Sequence, residues 1–295
     1  MLQHTFRPEN GPLAPDTVVV SYYPLGGNDE NTGPRYQQEA TLTGFDIIGI
    51  TRPGSNTTAK NPLLREDFSP QHFDEKWRGY TGDLDGLTAD YDYVIVRGQS
   101  TGSFPALNVV KNGLIKATHL LLEDGVNLRR RRGPIAARYD WGRNFAGEQL
   151  RKPQPTIDTW KKPAVNPRET DLITGLKNML EGLNKFAVEQ YHWEPLWRSN
   201  YSWRTSLDIV RTRPDLAIRF IFLGHSATGT GEDIDDFCRR VEKVKLYRAP
   251  EHFGDEVAPV GIKYFPDAWH GFLEYPEFGA ANLLAIRQMS SLVTR

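Results

Sequence analysis

Sulfur chemistry is almost missing from this chain. A single cysteine, Cys238, among 295 residues excludes an intramolecular disulfide, and cysteine alone cannot build a Cys-type zinc site. Excess charge of either sign is missing too: 36 Lys and Arg stand against 37 Asp and Glu, a formal net charge of −1. Non-specific binding to nucleic acid or to an anionic membrane needs a net basic surface, so neither partner is expected. The N-terminal residues, Met-Leu-Gln-His-Thr-Phe-Arg, lack the apolar run of ~7–15 residues that a signal peptide carries. No stretch reaches the ~20 apolar residues of a membrane span. A soluble, cytoplasmic protein is the expectation. Internal repeats and low-complexity tracts are absent, and with 39% hydrophobic and 25% charged residues the chain has enough apolar material for a large core.

What is present is a rhythm of strands. The first 16 residues, with Pro8, Pro12 and Pro15, read as an irregular lead-in. Near-continuous apolar, β-branched runs follow at 17–23, 45–51, 93–97, 118–123, 217–224 and 260–265. Helix-length segments separate them, which predicts an α/β fold with a mostly parallel sheet buried between helices on both faces. The rhythm breaks between Leu128 and Arg211, a segment that opens with Pro134, Pro153, Pro155, Pro163 and Pro167. It continues with Leu172, Leu176, Met179, Leu180, Leu183 and Ala187 at helical spacing. Five of the seven tryptophans (Trp141, Trp160, Trp193, Trp197 and Trp203) lie there, either lining a covered pocket or forming the segment's own core. A mostly helical cap over 128–211 is expected, inserted into a core made of 1–127 and 212–295. The cap carries 16 Lys and Arg against 9 Asp and Glu, a net +7, leaving −8 on the remainder. Its run Arg129–Arg132 is either a solvated turn or part of a lid that attracts anionic substrates.

The strongest local signal is Gly98-Gln-Ser-Thr-Gly102. G-x-S-x-G alone is short, but here a strand runs into it and a helical stretch, 103–112, runs out of it. A nucleophilic serine on a sharp strand-to-helix turn needs that context: the glycines let strand and helix cross closely, and the serine hydroxyl projects above the sheet. Thr101 N–H, at the helix N-terminus, would face the reaction centre.

On these residues the chain resembles the α/β-hydrolase superfamily from about Thr17 to Val293, with Ser100 as nucleophile. The resemblance implies an oxyanion-hole loop at Tyr23-Pro-Leu-Gly-Gly27. Proline has no N–H, so Leu25 or Gly26 is the expected donor beside Thr101. The loop Arg52-Pro-Gly-Ser55 also matches the superfamily. Its histidine follows the last strand, where Phe265-Pro-Asp-Ala-Trp-His-Gly-Phe272 stands, and this points to His270. A serine hydroxyl needs a base that titrates near neutrality, which agrees. His119, inside a strand, reads as a packed core residue.

A rival elbow, Gly224-His-Ser-Ala-Thr228, would make Ser226 the nucleophile. Thr228 replaces the second glycine, and only one further strand is expected after it, too few for the superfamily's order of Ser, acid, His. The acid stays open. The usual loop, after the strand at 217–224, holds no carboxylate before Glu232 and Asp233, which could equally be first-turn acids of a helix at 234–244. Some relatives take the acid from the end of the preceding core strand, where Leu122-Glu-Asp-Gly125 offers Asp124. A chain with no functional acid is the third alternative.

The function implied is hydrolysis of a carboxylic ester or related acyl bond of a small-molecule substrate, through a covalent serine ester. Serine rather than aspartate at the elbow disfavours dehalogenases and epoxide hydrolases. No metal or organic cofactor is implied, and a homodimer is compatible. An inactive hydrolase fold used for binding, acyl transfer on the same site, and hydroxynitrile-lyase-like or cofactor-free chemistry are the alternatives.

Overall fold

The computed structural model describes residues 2–11, 13–24, 27, 32–51, 69–81, 83–125, 195–196, 198–224, 239–240, 244–248, 260–265, 268 and 270–289. Its strands are β1 (Leu2–Phe6), β2 (Thr17–Tyr22), β3 (Asp46–Thr51), β4 (Tyr93–Gln99), β5 (His119–Glu123), β6 (Ala217–Leu223), β7 (Val244–Arg248) and β8 (Val260–Phe265). They form one sheet in the order β1-β3-β2-β4-β5-β6-β8-β7. Every pairing is parallel except that of β1 with β3. The six apolar runs expected from the sequence are β2, β3, β4, β5, β6 and β8.

Their apolar content follows from burial on both faces. Val18, Val20 and Tyr22 of β2 enter one core with Phe73, Phe104, Leu107, Tyr201 and Leu207. Val19 between them enters a second core with Tyr36, Ala40, Phe278 and Leu283. The first core lies under α2 (Pro70–Thr81), α4 (Ser103–Lys111) and α5 (Tyr201–Thr212). The second lies under α1 (Gly33–Thr43) and α6 (Pro276–Gln288), which pack on each other. A short α3 (Leu84–Thr88) precedes β4. In α4 every residue but Lys111 is buried, as expected of a helix apolar nearly all round. Its Pro105 falls in the first turn, where a missing N–H costs nothing.

Two strands were not legible in advance. The expected irregular lead-in contains β1: Leu2 to Phe6 pair antiparallel with β3, and the prolines all follow it. The expected helix at 234–244 has Arg239 and Arg240 helical, but Val244 opens β7, so two strands rather than one follow β6. Val244-Lys-Leu-Tyr-Arg248 has two charged residues among five, a composition that a strand at the edge of a sheet tolerates. That removes the lack of room as an objection to Ser226; the objection from Thr228 is untouched. Of the segment expected as a cap, residues 128–194 and Trp197 lie outside the described residues. Its end, α5, packs on α4, with Trp203 buried. Among the described residues, no helix is long and apolar enough to cross a membrane.

Candidate active site

Because β2, β4, β5, β6 and β8 are parallel, their C-terminal ends share one edge of the sheet. At the end of β4 the chain turns through a tight 3-10 turn, Ser100–Gly102, straight into α4. Ser100 has φ +50°, a left-handed conformation that costs an L-residue roughly 1–2 kcal/mol. A side chain at Gly98 would stand 2.7 Å from the Ser103 Cα and 2.8 Å from the Ala106 Cβ, and one at Gly102 would collide with the Tyr22 carbonyl. The two glycines are therefore what allows β2, β4 and α4 to meet. Ser103 clamps the turn, its Oγ donating to the Ser100 carbonyl over 2.7 Å while its N–H reaches the same oxygen. Ser100 and Thr101 are nearly buried, and among the described residues Ser100 Oγ makes no hydrogen bond.

At the end of β5, Asp124 has φ +46° and is fully buried. Its N–H donates to Ile221 O of β6 over 2.8 Å, and Asp tolerates this conformation better than most residues. Asp124 Oδ2 lies 2.5 Å from His270 Nδ1. His270 opens a 3-10 turn, His270–Glu274, between β8 and α6, and its side chain is 31% exposed. A carboxylate acceptor at Nδ1 selects, of the two neutral tautomers of an imidazole, the one whose Nε2 carries the lone pair.

No family model matches this sequence, and no curated protein matches it. Solved structures do. A lipase-esterase related protein from Clostridium acetobutylicum is 12% identical, with 96% of this chain and 98% of that one covered at a TM-score of 0.50. A soluble variant of monoglyceride lipase from Saccharomyces cerevisiae, solved with a substrate analogue, is 12% identical, with coverage of 99% and 92% and a TM-score of 0.53. AqDC, solved with its product from ring-cleavage of the Pseudomonas quinolone signal, is 15% identical, with coverage of 98% and 96% and a TM-score of 0.53. The chain has the α/β-hydrolase fold.

In this α/β-hydrolase fold the residues singled out from sequence fall as follows. Asp124 and His270 are brought into contact. Ser100 stands at the adjacent strand end without a hydrogen bond to His270, and Thr101 follows it in the turn. Leu25 and Gly26 lie outside the described residues, between Pro24 and Gly27, whose N–H donates to Pro24 O over 3.0 Å. Glu232, Asp233 and Ser226 also lie outside them. His119 is a core residue, 1% exposed.

Sequence reasoning missed a charged network directly beneath the elbow, on the α1 and α6 side of the sheet. Arg97 of β4 is fully buried. It donates from Nε to Glu123 Oε2 over 2.7 Å, and from its terminal nitrogens to both carboxylate oxygens of Glu39. Burial disfavours the Arg97 charge, but Glu123 and Glu39 outweigh it and move the pKa up. Gln99, Asn282, Tyr36 and Arg35 complete the cluster. A signal was available: Arg97 and Glu123 each end an apolar run, and a charge in a doubly buried strand must be paired.

Proposed function

We propose that the protein is a serine hydrolase that cleaves a carboxylic ester or related acyl bond. The observation that carries this is the placement of a serine in a left-handed elbow between β4 and α4, one strand from a buried Asp124 hydrogen-bonded to His270. Nε2 of His270 takes the Ser100 proton as Oγ attacks the acyl carbon. Asp124 holds the imidazole in its tautomer and stabilises the imidazolium that forms. The oxyanion of the tetrahedral intermediate is held by the N–H of Thr101 and of Leu25. His270 returns the proton to the leaving group, and then activates water to release the acid from the serine ester. The Ser100–His270 hydrogen bond belongs to the substrate-bound state, as free enzymes often hold these groups loosely. An inactive, binding-only fold drew support from the missing acid after β6; Asp124 supplies a carboxylate by another route.

The test is turnover of p-nitrophenyl acetate. Wild type should hydrolyse it, Ser100→Ala and His270→Ala should fall to background, and Asp124→Asn should lose about 10⁴-fold in kcat. A folded wild type with no turnover, or turnover that survives in Ser100→Ala, would refute the reading.

A further inference from the structure

We propose that Gln99 is a positioning residue, which sets Ser100 against the Asp124–His270 pair through a buried hydrogen-bond hub; this rests on the hydrolase reading. Gln99 immediately precedes Ser100 and is fully buried. Its Nε2 donates over 2.7 Å to Glu123 Oε2, and Glu123 immediately precedes Asp124. The two residues are direct partners across β4 and β5. Gln99 Oε1 accepts from Tyr36 OH over 3.0 Å and from the Arg35 guanidinium. The same guanidinium donates to the carbonyl of Leu273, inside the 3-10 turn that His270 opens. One side chain thus ties together the three chain segments that carry Ser100, Asp124 and His270.

The location gives the hub its work. Ser100 and Asp124 both sit at positive φ, where neither backbone stays without support from its surroundings. The Gln99–Glu123 bond is the last side-chain link between β4 and β5 before both turns. If it slackens, each turn can relax separately, and a displacement of about 1 Å at the reacting atoms can cost ~10²-fold in rate.

Gln99→Met keeps the volume and removes the hub. Each partner retains another contact: Glu123 keeps Arg97 and Asn282, Tyr36 keeps Ser21, and Arg35 keeps Leu273 O and Glu39. The experiment measures p-nitrophenyl acetate kinetics together with the downfield proton NMR signal of the His270 Nδ1–H. In Gln99→Met, kcat should fall about 100-fold with little change in KM, and the proton signal should broaden or shift. On an Asp124→Asn background the same substitution should cost much less than it does alone, because both act through the imidazole. Arg35→Lys, at a partly exposed position, should move kcat and the proton signal in the same direction by less. Wild-type kcat and an unchanged proton signal in Gln99→Met, with only a lower Tm, would overturn the proposal. A wild type that shows the signal but no ester turnover would sink the hydrolase reading alone, and the signal in Gln99→Met would then decide this one.

Discussion

His119 opens β5 with 1% of its surface exposed, its Nδ1 2.7 Å from Thr118 Oγ1. Burial, and then the charge of Arg287, push its pKa down to about 3. In the unfolded chain a histidine titrates near ~6.5. Between those values the unfolded chain takes up a proton that the folded chain refuses. The stability this residue contributes is whole above pH ~6.5 and is lost as the pH falls toward 3, by at most about 1.4 kcal/mol per pH unit. Urea unfolding of wild type should therefore weaken between pH 7 and pH 4 more steeply than that of His119→Leu. Identical pH slopes for the two proteins would show that the ring is not held neutral. The position was legible from the sequence, since a lone histidine within an apolar strand is more often core than catalyst. What the sequence did not show was Arg287, which approaches from α6 to bond Thr17 and cover the Tyr93 ring.

The elbow is the element on which the site depends, and its two kinds of constraint can be separated. Steric crowding acts at Gly102, where an added methyl meets the backbone of β2, which cannot step aside as a side chain would. Conformational strain acts at Ser100 through its positive φ. Gly102→Ala should destabilise the protein by about 1–3 kcal/mol or more. Ser100→Gly should be more stable than Ser100→Ala by roughly 1–2 kcal/mol, since glycine adopts this conformation without cost. Equal stability of the two Ser100 variants, by chemical denaturation, would mean that the turn is not strained. This turn was legible because G-x-S-x-G between an apolar strand and a helix is a fixed pattern in a fixed context. β1 and β7 were not, because a strand at the edge of a sheet needs no continuous apolar run, and five residues of mixed polarity are easily absorbed into a neighbouring lead-in or helix.

At the scale of the whole molecule, Asp124 and His270 are far apart in the chain and touch, with Ser100 at the neighbouring strand end, only because parallel strands end on one edge. The elbow pattern and the superfamily resemblance pointed to Ser100 and His270 as candidates. They left the acid open between Asp124, the pair Glu232 and Asp233, and none; the contact of Asp124 with His270 became visible only in the fold, which sets β5 beside both β4 and β6. The polar hub beneath the site was less legible still: Glu39, Arg97, Gln99, Glu123 and Asn282 come from four elements, and their pairing exists only after packing. The central claim is that this assembly makes one serine nucleophilic. A small fluorophosphonate reacts with a serine activated by a base beside an oxyanion hole, and barely with ordinary hydroxyls. Peptide mass spectrometry after labelling should find one adduct per chain, on Ser100, and none in Ser100→Ala or His270→Ala. An adduct on Ser226, or none at all on folded wild-type protein, would contradict it.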